Sequence, residues 1–134
     1  MITGITHAAV RVTDLDRSIK FYSGLLGMPE KFRLTSEDGS PWLVYLQISE
    51  NQFIELFPGA EGPHTPAKTA GLVHICLMVD DIQQTYQELT SRGLQTNGEP
   101  ILGGDNSWQF WTNDPDGNPI EFHQFTEESR QLRG

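Results

Sequence analysis

Ile54-Glu55-Leu56-Phe57 and Ile120-Glu121-Phe122-His123 are one phrase written twice, and reading them as a repeat decides the fold. Each sets a carboxylate among apolar residues in a stretch patterned as a strand. The residues upstream repeat as well. Thr6-His7-Ala8-Ala9-Val10-Arg11-Val12 is answered by Val73-His74-Ile75-Cys76-Leu77-Met78-Val79, so His74 stands where His7 stood and Glu121 where Glu55 stood.

Outward from these phrases the same order of elements appears in each half. Ile5 to Val12 is a strand ending at Thr13-Asp14, a helix N-cap signal. Leu15, Ile19, Tyr22 and Leu26 recur at three- and four-residue steps, and Gly27 can take the left-handed C-terminal position, predicting a helix over 14–26. A short strand at 32–35, a turn at 37–41, and a hairpin of 42–49 with 52–57 complete module one. Residues 58–71 are rich in Gly, Pro, Thr and Ala and read as a linker holding the surface residue His64. Module two follows with a strand at 72–79, a helix from Asp80-Asp81 through Ile82, Tyr86 and Leu89 to Gly93, and a short strand at 94–96. A flexible loop at 98–107, strands at 108–112 and 118–125, and a polar tail at 126–134 that frays or lies on the surface close the chain. The expectation is one α+β domain over 1–134, with module one at 1–57, the linker at 58–71, module two at 72–125 and the tail beyond.

A chain of 134 residues can bury about two-thirds of its unfolded surface without disulfide or metal staples. Nine basic against eighteen acidic side chains give a formal charge of −9, which repels nucleic-acid backbones and anionic membranes and excludes both as expected partners. The lone Cys76 can form no internal disulfide, and no charged segment with an apolar run precedes the first strand; a cytoplasmic setting is expected. No apolar run approaches the roughly 18 residues of a membrane span.

Strand alternation sorts the phrases into two faces. Ala8, Val10 and Val12, with Ile75, Leu77 and Val79, Ile54 and Leu56, and Ile120 and Phe122, form an aliphatic face suited to the two helices. His7, His74, Glu55 and Glu121 fall on the other, half-apolar face. One histidine in a strand is usually a packing residue and one strand glutamate usually meets solvent, but four matched residues need a common cause. Two carboxylates and two imidazoles on such a face call for a cation, because an unpaired buried carboxylate costs several kcal/mol. The donors suit one six-coordinate divalent ion (Ni, Co, Zn, Mn or Fe) with two positions left for a chelating small-molecule substrate. Glutamate, loosely held there, can move a proton between adjacent carbons. Cys76 reads as a small buried hydrophobe and His123 as a substrate contact or a packing residue.

At these residues the chain resembles the vicinal oxygen chelate superfamily of glyoxalases, bleomycin-resistance proteins and extradiol dioxygenases. The likeness runs through His7 to Leu15, Arg17-Ser18-Ile19-Lys20-Phe21-Tyr22, Leu26-Gly27-Met28, Gly71-Leu72-Val73-His74, and Asp114 to Glu121. It implies two tandem βαβββ modules forming an eight-stranded, incompletely closed mixed barrel with helices outside, commonly as a homodimer. The His, Glu, His, Glu order is most similar to bacterial glyoxalase I. That likeness makes His7, Glu55, His74 and Glu121 the metal ligands, Glu121 the favoured base with Glu55 as its counterpart, and Arg11 a contact to a substrate carboxylate. The implied reaction turns the hemithioacetal of a 2-oxoaldehyde into a 2-hydroxyacyl thioester. Gly59 and Leu102 stand where that family has an asparagine and a lysine for glutathione, and both losses weaken a glutathione site. Phe53, Phe57, Trp108 and Phe110 are candidates to line a more apolar substrate cavity.

Two rival readings fit the same residues less fully. An extradiol dioxygenase or fosfomycin-type thiol transferase uses only His7, His74 and Glu121, and Glu55 would fill a position it needs open. A non-catalytic drug-binding resistance protein suits the −9 charge and a cationic ligand but leaves the four matched residues unexplained.

Overall fold

A computed structural model describes residues 1–134. The chain runs β1 (His7–Arg11), α1 (Leu15–Ile19) with a π-helical continuation (Lys20–Leu25), β2 (Glu30–Thr35), β3 (Pro41–Ser49) and β4 (Gln52–Phe57). It then repeats with β5 (Ile75–Met78), α2 (Ile82–Ser91), β6 (Ile101–Leu102), β7 (Trp108–Asn113) and β8 (Pro119–Gln124), and ends in α3 (Arg130–Arg133). Two four-stranded mixed sheets result, ordered β1-β4-β3-β2 and β5-β8-β7-β6. In each, the first and last strands of the module pair in parallel and the rest antiparallel, so the expected α+β class and the βαβββ repeat hold.

Two compact units divide the chain. Residues 1–66 with 115–117 form one, and 67–114 with 118–134 the other, so the expected linker is shared between them. In the first, Val10, Val12, Val44, Leu46, Ile54 and Leu56 are buried. Each such side chain contributes about 1.5–3 kcal/mol of burial. In the second, Leu77, Ile82, Leu89, Phe110, Ile120 and Phe122 do the same. Of the aliphatic face marked by alternation, Val10, Val12, Ile54, Leu56, Leu77, Ile120 and Phe122 are buried and Ala8, Ile75 and Val79 are half-buried.

Helices α1 and α2 begin on the aspartates that the sequence offers. Asp14 accepts from Arg17 N at 3.0 Å and Asp81 from Gln84 N at 2.9 Å, each filling one orphan donor of the first turn. The first helix departs from its expected form over its second half, where bonds such as Leu26 N–H to Phe21 O at 2.9 Å widen it into a π turn. Gly27, at φ +82°, then carries the chain out, a conformation a β-carbon would oppose.

Two stretches differ from expectation in kind. The strand expected at 94–96 is one bridge, Thr96 to Thr112, and Gly98 at φ +112° turns the chain away before a ladder can grow. The ladder strand lies instead at Ile101–Leu102, inside the expected loop. The tail takes the second of its two expected forms and lies on the surface, anchored at one residue. Ser129 is fully buried with its hydroxyl 2.7 Å from that of Ser107, and Arg130 N donates to Asp105 O at 2.8 Å, so the tail fastens the loop before β7.

Asp116 is the most heavily used carboxylate of the first unit. It is 3% exposed and accepts from Thr13 N at 3.1 Å, Thr13 Oγ1 at 2.5 Å and Arg17 Nη2 at 3.1 Å. Asp116→Ala strands these donors and is expected to lower stability by about 2–4 kcal/mol, with Arg17 contributing little because it is half exposed. Urea unfolding checks this; a midpoint equal to wild type would contradict it.

Candidate metal centre

In module one the parallel pairing of β1 with β4 sets His7 beside Phe53 and Ala9 beside Glu55. His7 therefore reaches Glu55 diagonally, and its Nε2 lies 3.1 Å from Glu55 Oε2. Glu55 is 7% exposed while His7 remains open to solvent. Tyr45 is the cross-strand partner of Glu55 on β3. A hydrogen bond to Glu55, then burial and that carboxylate's charge, hold the Tyr45 phenol above its ordinary range. The Tyr45 ring stacks on Phe32 at 4.4 Å and meets His7 and Phe53 edge-on.

Module two builds the same pair. Ile75 lies beside Ile120 and Cys76 beside Glu121, so His74 again reaches its glutamate diagonally, Nε2 to Oε2 at 3.1 Å. Trp111 is the cross-strand partner of Glu121 and meets the His74 ring edge-on at 4.7 Å, the place Tyr45 holds in module one. The second oxygen of Glu121 is 3.2 Å from His123 Nδ1. Partial burial and then the Glu121 charge push the Cys76 thiol up to about 12, so it is a thiol at neutral pH.

The profile of the Glyoxalase/Bleomycin resistance protein/Dioxygenase superfamily matches residues 4–122. The chain belongs to this superfamily. Among its relatives, the lactoylglutathione lyase of Haemophilus influenzae is 36% identical over 88% of this chain and 90% of its own. YwbC of Bacillus subtilis is 33% identical over 92% of this chain and 99% of its own. The crystal structure of a glyoxalase family protein from Enterococcus faecalis superposes with a TM-score of 0.77 at 23% identity, covering 90% of this chain and 96% of that one, a likeness of fold.

For a glyoxalase-superfamily protein the donors must suit a divalent ion. Bonds of about 2.1 Å at right angles place neighbouring ligand atoms about 3.0 Å apart. Both His–Glu pairs stand at 3.1 Å, and each carboxylate has an imidazole, not a lysine or arginine, as its ion-pair partner. The nitrogen and oxygen donors of each module fit the group.

The remaining predicted residues sort by face. Phe53 and Phe57 are half-buried on β4, on the Glu55 side by alternation, and Arg11 is exposed at the end of β1 beside Phe57. His123 shares the face of Glu121 and is 5% exposed. Phe110 does not share it. It pairs with Phe122, stacks on it at 4.6 Å and meets Tyr86 of α2 edge-on, so it is core, and Trp108, two residues away, alternates onto the same side. Cys76 is exposed on the glutamate face and is not the buried hydrophobe expected. His64 is on the surface as expected.

Sequence reasoning missed Tyr45 and Trp111, and the reasons differ. Counting back across the turn 113–119 in regular register sets Trp111 opposite Glu121, so that signal was present. Counting back from Glu50-Asn51 would set Leu46 opposite Glu55. A one-residue bulge between Gln47 and Ser49 shifts the register and brings Tyr45 there, which no alternation rule foretells. No helix of the protein is long and apolar enough to cross a membrane.

Proposed function

We propose that the protein is a metal-dependent lyase of the glyoxalase I type, isomerising a hemithioacetal of a 2-oxoaldehyde to a 2-hydroxyacyl thioester. The observation that carries this reading is the His–Glu pair at 3.1 Å present in matched positions of both modules. The 36% identical relative from Haemophilus influenzae, named lactoylglutathione lyase, supports it. His7, Glu55, His74 and Glu121 are the proposed ligands. A divalent ion, when bound, supplies Lewis acidity to the substrate oxygens and two positions for chelating them.

The chain's own residues then move one proton. Glu121 takes the hydrogen of the carbon bearing sulfur and hydroxyl and returns it to the neighbouring carbonyl carbon, while the hydroxyl proton passes to the other oxygen. Atoms balance, and no oxidant is needed. Each carboxylate has two polar partners, Tyr45 and His7 for Glu55 and His74 and His123 for Glu121, and it is the likeness to glyoxalase I that assigns the base role to Glu121. Trp111, Phe53 and Phe57 offer apolar walls, Arg11 a cation for a substrate carboxylate and His123 a polar contact. Gly59, at φ +93°, holds a backbone conformation that an asparagine would adopt only with strain, and Leu102 is exposed without charge. The thiol partner is accordingly a small thiol other than glutathione. Working as a homodimer in the cytoplasm belongs to the same proposal.

Stripping the protein with a chelator should abolish isomerisation of thiol–methylglyoxal adducts, and Ni, Co or Zn should restore it. Adducts of small thiols should turn over faster than that of glutathione. Elemental analysis that finds no divalent ion in active protein would end this reading. Oxygen uptake with catechols under Fe(II) is expected to be nil, because Glu55 beside His7 fills a position the three-ligand dioxygenases keep open.

A further inference from the structure

The two modules part company beside the second glutamate. Across β1 from Glu55 stands Ala9, and two residues beyond Glu55 is Phe57; the equivalent places in module two are Cys76 and His123. Alternation puts Cys76, Glu121 and His123 on one face, and their donor atoms lie within 4.8 Å of one another. His123 is 5% exposed, and its Nε2 is buried without a hydrogen-bond partner, with Asp105 Oδ2 beyond bonding reach at 4.0 Å. In the tautomer whose Nδ1–H donates to the Glu121 carboxylate, Nε2 carries a buried lone pair with no partner, which a cation would satisfy.

We propose that Cys76, Glu121 and His123 form a separate metal site, selective for a thiophilic divalent ion such as zinc, cadmium or cobalt(II), that shares Glu121 with the His74 pair. A sulfur, nitrogen and oxygen set selects such ions over magnesium, calcium or manganese. Tetrahedral ligands at bonds of about 2.0–2.3 Å stand roughly 3.3–3.8 Å apart, so side-chain rotation suffices to close donors that lie within 4.8 Å. Asp105 faces the idle nitrogen, its Oδ2 4.0 Å away, making it the natural fourth donor. The sulfur–metal bond forms as the thiol proton leaves to solvent, which the exposure of Cys76 permits. One corollary rests on the lyase reading. An ion held here occupies Glu121, so excess zinc or cadmium inhibits turnover.

Cys76 is the single cysteine of the chain, so any thiolate-to-metal absorption reports it directly. Anaerobic titration of the full-length protein with cobalt(II), and separately with cadmium, should raise a saturating near-ultraviolet charge-transfer band. Cys76→Ser should abolish it, His123→Gln should weaken the affinity at least tenfold, and His7→Gln, in the other module, should leave it in place. Absence of the band in the wild-type protein overturns the proposal, as does a band that survives Cys76→Ser. The readout needs no turnover, so its failure leaves the lyase reading standing, and failure of the lyase reading leaves the band.

Discussion

Glu121→Gln is expected to lower kcat for thiol–aldehyde isomerisation by about 10²–10⁴-fold, the range that one positioned general base supplies. The amide keeps the size and shape of the side chain in its 9% exposed place, so the fold should persist with its circular dichroism unchanged. What it removes is a group that can take a proton. Glu121 meets His74 with one oxygen and His123 with the other, both at imidazole nitrogens whose protons can rearrange around an amide. Glu55→Gln should cost less in kcat and more in metal content, because in the proposed reaction Glu55 serves as a ligand and takes no proton from the substrate carbon. Steady-state kinetics with elemental analysis of both variants separates the roles. Unchanged kcat in Glu121→Gln with metal in place would remove Glu121 from the reaction.

Phe110→Ala is expected to destabilise the protein by about 3–5 kcal/mol, the range for deleting a fully buried aromatic ring. Phe110 is 1% exposed between Phe122 and Tyr86, and alanine leaves a cavity that β7 and α2 can only partly close. Its neighbour in sequence should behave oppositely. Trp111 is half-buried on the His74 side, so Trp111→Ala is expected to cost no more than about 2 kcal/mol while raising KM or loosening the bound metal. Urea unfolding and kinetics on the two variants test the assignment of faces. If Phe110→Ala unfolds at the wild-type midpoint while Trp111→Ala collapses, the faces are reversed.

The sequence carried the repeat, and with it the common face of the two histidines and two glutamates, because two-residue alternation binds a side chain to a face whatever the tertiary context. It also carried the helix starts, since Asp14 and Asp81 act on amides three residues away. Where it failed, the deciding contact lay elsewhere in the chain. The tail lies on the surface, one of its two expected forms, but its anchor was not legible: Ser129 is buried against Ser107 and fastens the loop that carries Asp105. Trp108 and Phe110 looked like pocket walls because aromatic character says nothing about which side of a strand it occupies; the count across the turn 113–119 that sets Trp111 opposite Glu121 also sets Phe110 opposite Phe122, on the core side.

Composition, periodicity and capping chemistry are local, and they alone determined two βαβββ modules, a helix-side aliphatic face and four polar residues opposite it. Register is not local. The bulge in β3 that brings Tyr45 to Glu55, and the side-by-side placement of Cys76, Glu121 and His123, follow from how strands far apart in sequence align, and a shift of one residue would send each to the other face.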